Sequence, residues 1–265
     1  MSLVSVIIPS FNRVDLVERA IQSVIDQSYP EVEIIVIDDA SDVDIRHRVE
    51  GLPGVKYYRN KENRGACYSR NRGIQEAKGE YINFLDDDDV LLPTKLETQV
   101  ECFKQSNDPD LGMVTCHAND GRSGEFIIRE NKVKGDIYNL LLNRFSVSGI
   151  ETMLFKTDFI REIGGFDENL QSSQEYDLLI RFAEHYTVDY VDEVLTKEFR
   201  SVNQISTNFD KKIQGARYLY KKHDHRFREK GFLFWLKMKS KLQMLILRFY
   251  VGKVFGEKMY RMLLR

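Results

Sequence analysis

The chain has 265 residues, 42% of them hydrophobic, and a formal net charge of -2. That is enough apolar material for one substantial α/β core with an appended element. The only cysteines, Cys67, Cys102 and Cys116, show no Cys-x-x-Cys spacing and no His at ligand spacing, which excludes a disulfide framework and a zinc site and leaves them as buried apolar thiols in a reducing cytosol.

In chain order, Leu3 to Ile8 is an apolar, β-branched run that predicts a buried strand, too short for a secretory core or a membrane span. A polar loop, Pro9-Ser10-Phe11-Asn12-Arg13, follows. Leu16, Val17, Ala20, Ile21, Val24 and Ile25 then share one helical face, with Asn12 or Asp15 placed to cap it. Glu33 to Ile37 predicts a second buried strand running into Asp38-Asp39-Ala40-Ser41-Asp42, so the opening reads as a βαβ unit. Val55 to Tyr58 predicts a third strand. Asn63-Arg64-Gly65 opens a helix that Lys78-Gly79 stops, and Glu80 to Leu85 predicts a fourth strand. Right-handed crossovers would bring the carboxyl ends of the first, second and fourth strands to one sheet edge, where Asn12, Asp39 and the residues after Leu85 would share a crevice.

Further on, Pro93 to Gln105 predicts a helix with proline in its first turn, and Leu111 to Cys116 a strand. Asn119 to Gly135 is polar and reads as a loop or hairpin. Ile150 to Phe155 predicts a strand, Ile160 to Phe166 a helix end with a glycine stop, Gln174 to Ala183 a helix, and Val188 to Val191 and Val194 to Phe199 two short strands.

Asp86 to Asp89 form the tightest chemical constraint. Packed carboxylates raise each other's pKa, so such a cluster persists where solvent or a cation takes up the charge. An EF-hand starting at Asp86 fails, because Leu91 would occupy the required glycine position. What remains is a solvated acidic turn or a site for a hard divalent ion, Mg2+ or Mn2+, held with substrate phosphates.

Val4 to Arg13, Ile37 to Asp42, Asn63-Arg64-Gly65, Ser69-Arg70-Asn71 and Phe84 to Asp89 together resemble the motifs of family 2 inverting glycosyltransferases, in the family's order and spacing over about residues 3 to 206. The resemblance implies a GT-A fold: a Rossmann-like, mostly parallel central sheet flanked by helices. Residues 1–206 would form the transferase domain, with a nucleotide-binding part over about 1–92 and an acceptor part over about 93–206. Residues 207–265 would form a basic amphipathic helical tail. The resemblance further implies a nucleotide-sugar donor, most simply a UDP-sugar, and a Mn2+ or Mg2+ cofactor. Pro9, Phe11, Asn12 and Arg13 would line the nucleoside pocket and Asp39 would read the base. Gly65 would admit the backbone close to the nucleotide, and Arg70 would meet base or phosphate. Asp86 and Asp87 would lie along the donor, and Asp88 would bind the metal.

Gln174-Glu175-Tyr176-Asp177-Leu178 resembles the family's Glu-Asp-x-Asp-Leu segment, which implies Glu175 as the catalytic base with Asp177 as the alternative. Glu175 stands where the family usually has Asp, and Gln174 where it has an acid. Val202 stands where many relatives have a His. Of the residues outside these motifs, Arg72 reads as a solvated helix residue, His117 as a satisfied histidine, and His223-Asp224-His225 as part of a solvated helical patch.

Residues 211–265 carry 16 Lys and Arg against 3 Asp and Glu, net +13, which leaves residues 1–210 with 23 against 38, net -15. Basic residues interleaved with Trp235, Phe249, Tyr250 and aliphatics predict a helix lying on an anionic membrane surface without crossing it. Nucleic acid is the less favoured partner because the tail is apolar and the rest of the chain acidic, and packing against another protein, a second copy included, is the third reading. The acceptor expected of such a protein is a glycan or glycolipid, and its place is cytoplasmic, peripheral on the inner face of the cell membrane. The competing classes are a non-catalytic nucleotide-sugar or membrane-binding module on the same fold, and a nucleotidyltransferase, for which the Pro9 to Arg13 loop lacks a glycine-rich phosphate loop.

Overall fold

The structure is a computed structural model describing residues 1–121, 126–144, 149–199 and 208–263. β1 (Val4–Ser10) and β2 (Val32–Asp38) are Val- and Ile-rich runs buried on both faces, as strands become when helices cover a sheet from either side. Between them α1 (Val14–Ile25) turns Val17, Ala20, Ile21 and Val24 inward. The chain continues through α2 (Arg46–Val49), β3 (Val55–Arg59), α3 (Ala66–Glu76), β4 (Tyr81–Phe84) and the short β5 (Val90–Leu91). Then come α4 (Lys95–Gln105), β6 (Leu111–Asp120), β7 (Ile127–Arg129), α5 (Tyr138–Asn143), a 3-10 turn (Ile150–Thr152), β8 (Leu154–Lys156), α6 (Thr157–Glu162), α7 (Gln174–Phe182) and β9 (Thr187–Glu198). α8 (Phe209–Glu229), α9 (Phe232–Phe255) and α10 (Glu257–Met262) follow.

The sheet runs β3-β2-β1-β4-β8-β6-β9-β5, with β7 on β6. β1 pairs in parallel with β2 and β4, and β2 with β3, so their carboxyl ends open on one edge as the crossover argument requires. The second half is mixed: β8 is antiparallel to β4 and β6, β6 is parallel to β9, and β5 is antiparallel to β9. β4 and β5 thus bracket Asp86 to Asp89 with a central strand on one side and a strand locked to the end of β9 on the other.

Alternate side chains feed opposite faces of the sheet. Val6 and Ile8 pack with α1 and with Leu96, Val100 and Phe103 of α4. Ile7, Ile35 and Phe84 pack with α3, α7 and the C-terminal helices, whose Ile213, Leu219, Phe227, Met238, Leu242 and Phe249 are buried in the same cluster. No described helix is long and apolar enough to cross a membrane.

Four sequence expectations are corrected. The strand expected over Ile150 to Phe155 begins as a 3-10 turn, and only Leu154–Lys156 pairs with its neighbours. The two strands expected around residues 188–199 are one, β9, because Asp192 and Glu193 fall in a register irregularity opposite Thr115 to His117 and not in a turn. Neither Asn12 nor Asp15 caps α1 through its side chain: Asn12 takes a positive φ of 57° and exchanges two hydrogen bonds with Asp42. His223 is fully buried, not solvated.

Candidate active site

Hydrogen bonds between their own residues stitch the loops after β1 and β2 together. Asn12 Nδ2 donates to Asp42 Oδ2 at 2.9 Å, the Asp42 N–H to Asn12 Oδ1 at 2.7 Å, and the Asn12 N–H to Ser41 Oγ at 2.9 Å. Asp38 is structural: it is fully buried and accepts from Tyr57, Arg59 and the Ser41 N–H. Asp39, 4% exposed, takes the N–H groups of Arg64 and Gly65 and the Asn60 amide, at 3.0, 2.7 and 2.7 Å. It caps the start of α3 from outside, where the helix dipole favours an anion. Gly65 carries a φ of 87° there, a conformation that favours glycine.

The four aspartates divide their tasks. Asp87 turns inward, accepting from Ser10 Oγ and Arg13 Nη1, both at 2.9 Å, and burial pushes its carboxyl up to about 6 against the pull of Arg13. Asp88 also receives Arg13 Nη1, at 3.3 Å. Asp89 accepts the Phe199 N–H at 2.9 Å, and burial with Asp86 and Asp88 nearby raises its pKa well above the ordinary carboxylate value. Ligand oxygens of Asp86, Asp88 and Asp89 lie within 4.8 Å of one another. This all-oxygen, all-anionic donor set fits Mg2+ or Mn2+, and a carboxylate whose charge is resisted by burial and like charges gains most from a cation.

Arg70 of α3 connects this loop to α7. Its side chain is 4% exposed, and it donates to Asp86 Oδ1 at 2.6 Å and Gln174 Oε1 at 3.0 Å, and pairs with Glu175 Oε1 at 3.5 Å. Burial opposes its charge, and Asp86 and Glu175 hold it protonated. Gln174, in the place of an acid, accepts from Arg70 and returns its own amide N–H to the Leu170 carbonyl at 3.0 Å. A neutral acceptor suffices there because two carboxylates already balance the guanidinium.

Glu175 and Asp177 differ in access. The Glu175 side chain is 30% exposed, whereas Asp177 is fully buried and held by His223, Lys222 and Arg181 at 2.8 to 3.0 Å. Burial alone would raise the Asp177 pKa, and these partners drive it well below the usual carboxylate range. A carboxylate so stabilised is a poor proton acceptor. Its work is to fasten α7 to α8.

Pro9 is the penultimate residue of β1, and the half-exposed Phe11 follows the strand's last residue, Ser10, at the same sheet edge. Arg72, read as solvated, donates to the Arg59 carbonyl and Asn60 Oδ1, both at 2.7 Å, and so supports the Asp39 loop. His117 is satisfied by Asp192 and the Asn131 N–H. Val202 lies outside the described residues.

Sequence reading counted Asp89 in the acidic cluster without giving it a metal-holding role, and missed Ser10, Asn60 and Arg19, whose guanidinium bonds the Asp88 carbonyl and stacks 4.1 Å from the Phe199 ring centroid. It also missed a buried acid layer beneath the cluster, where burial and the neighbouring Glu198 raise Glu151 well above its usual pKa, and Arg129 pairs with Glu198.

A sequence profile of glycosyl transferase family 2 matches residues 5–155. The uncharacterized glycosyltransferase RT0329 of Rickettsia typhi is 34% identical over 203 residues, 74% of this chain and 63% of that protein. This chain therefore spans about 63% of the length of the first curated relatives it matches. The putative colanic acid biosynthesis glycosyl transferase WcaA of Escherichia coli K12 is 30% identical over 243 residues, 85% of this chain and 82% of that protein. Among solved structures, Staphylococcus aureus TarS 1-349 in complex with UDP-GlcNAc superposes with a TM-score of 0.68 over 94% of this chain and 73% of that one, at 16% identity, a likeness of fold.

Proposed function

The chain belongs to glycosyl transferase family 2, and on that premise we propose that it transfers a glycosyl group from a UDP-sugar to a hydroxyl acceptor with inversion at the anomeric carbon. The observation that carries this reading is the Arg70 bridge, which brings the partly exposed Glu175 and the partly exposed Asp86 within reach of one guanidinium. Glu175 takes the acceptor hydroxyl proton, the oxygen attacks the anomeric carbon from the opposite side of the sugar, and the bond to the diphosphate breaks as UDP leaves. A diphosphate needs no protonated acid to depart.

Asp39 has three N–H partners, which leaves room on its roughly four lone-pair sites for the imino N–H of a base. Pro9, Phe11, Asn12, Arg13 and Gly65 border the nucleoside, Arg70 and Asp86 line its path to the sugar, and Asp87, turned inward onto Ser10 and Arg13, serves the donor only by holding Arg13 in place. Asp88, with Asp86 and Asp89, would hold Mn2+ or Mg2+, which neutralises diphosphate charge. The acceptor is a glycan or glycolipid of surface-polysaccharide assembly. The relative named for colanic acid biosynthesis supports that class, and the basic C-terminal helices favour a place on the inner face of the cell membrane.

A donor panel scored by UDP release with and without Mn2+ tests the reaction. The Glu175→Gln variant is expected to lose turnover by about a thousandfold while keeping its affinity for UDP. Wild-type protein that binds UDP yet releases none from any donor would overturn the reading in favour of a binding module.

A further inference from the structure

We propose that the outward face of α9 is an in-plane docking surface for an anionic lipid bilayer. Met238, Leu242, Ile246 and Phe249 point into the core, so one side of the helix is spoken for. The other side is also apolar. Leu233, Leu236, Met244, Leu247, Tyr250 and Val254 are 80%, 45%, 57%, 64%, 43% and 71% exposed, and at 3.6 residues per turn they fall within about 120° of arc. Large apolar side chains gathered on one exposed strip mark a surface that meets something other than water.

The charge on the helix selects the occupant. α9 has no acidic residue and five cations, Lys237, Lys239, Lys241, Arg248 and Lys253. On the helical wheel Lys237, Lys241 and Arg248 follow one edge of the apolar arc and Lys239 follows the other, while Lys253 turns to the inner side and pairs with Asp210 of α8 at 2.6 Å. An apolar strip between two cationic margins matches acyl chains beneath anionic headgroups. A second copy meeting the same face would bring cations against cations, with no carboxylate on either α9 to pair with them.

The surface is also held in place before binding. Trp235 Nε1 donates to Asp224 of α8 at 2.7 Å, and Lys241 Nζ donates to the Asn143 carbonyl at the end of α5 at 2.7 Å. A helix already folded and docked loses little further conformational freedom on reaching a membrane. The helix is about 36 Å long at 1.5 Å per residue and would lie along the interface.

The proposal rests on the membrane-acceptor reading above, and its assay contains no sugar donor, so either can fail alone. Full-length protein is sedimented with vesicles of phosphatidylcholine alone or mixed with phosphatidylglycerol. Wild type is expected to pellet with the mixed vesicles, less so at high salt. Leu236→Glu combined with Leu247→Glu should weaken pelleting by about tenfold or more with an unchanged melting temperature. If that variant misfolds, Leu236→Ser with Leu247→Ser replaces it. Wild type remaining in the supernatant overturns the proposal, as does a folded variant pelleting like wild type. A lipid-free dimer dissociated by the same substitutions also overturns it and makes the face a contact between copies.

Discussion

Asp86 and Glu175 stand at opposite ends of one buried guanidinium, at 2.6 and 3.5 Å from the Arg70 Nη atoms. The acid loop after β4 and the start of α7 are therefore placed relative to each other by a side chain of α3. Arg70→Lys keeps a cation but has no fork to span both carboxylates. Turnover in that variant should fall by about a hundredfold, the scale for small misplacements of catalytic groups. Both carboxylates reach solvent, but Arg70→Met also leaves the buried Gln174 Oε1 without its donor, so it should cost about 2 kcal/mol of stability. Single-turnover rates beside urea midpoints would separate the two effects.

His223 and Asp177 should make the protein acid-sensitive. Burial lowers the His223 pKa despite Asp177, with Arg226 and Lys222 adding to the lowering. The unfolded chain therefore binds that proton first, and stability falls as pH drops below about 6.5. Asp177, held ionised, adds a second loss as pH approaches about 3.9. His223→Gln should flatten the upper part of the profile. His223→Ala, which opens a cavity and removes a partner from a buried carboxylate, should cost about 3 kcal/mol at neutral pH. Chemical denaturation between pH 5 and pH 8 reads both.

Lys95 is fully buried and donates to Gln99 Oε1 at 2.7 Å. Burial lowers its pKa to about 8, partly offset by Cys116 and Glu151. The unfolded amine, near 10.4, binds the proton more strongly, so this charge destabilises the fold at neutral pH by up to about 3 kcal/mol. Lys95→Met should raise the melting temperature at pH 7, with a gain that shrinks as pH rises toward about 10. A melting temperature lowered at pH 7 would show that the amine has further compensation.

Cys67 and Cys116 are buried, and burial pushes both thiols up to about 12. Neither should react with iodoacetamide in the native protein. Cys102 is only partly buried and should be the first labelled. Mass spectrometry before and after unfolding in guanidinium checks the order.

Much of the sheet and of the acidic site was legible in the residues. β1, β2 and β4 are continuous apolar runs, each ending in polar residues, and strand periodicity is a local property. The glycine before α3 and the aspartates after β4 likewise declare themselves without knowledge of what packs on them. The departures began where a side chain's state depends on its neighbours. His223 lies in a run of Lys, Arg and Asp that reads as solvated, yet α8 turns it onto Asp177. The polar Asp192-Glu193 pair reads as a turn, yet β6 holds it as an irregularity within β9.

The sequence by itself determined the family, the parallel first half of the sheet and the edge on which Asp39 and Asp86 to Asp89 gather, because apolar runs and motifs act within a few residues. Tertiary structure decided which carboxylate of α7 is accessible, what Gln174 does beside Arg70, and which side of α9 is inside. α9 is apolar on two sides, so its periodicity names no inner face. Only the packing of α8 and the core against Met238, Leu242, Ile246 and Phe249 makes that choice, and it leaves the opposite strip in the open.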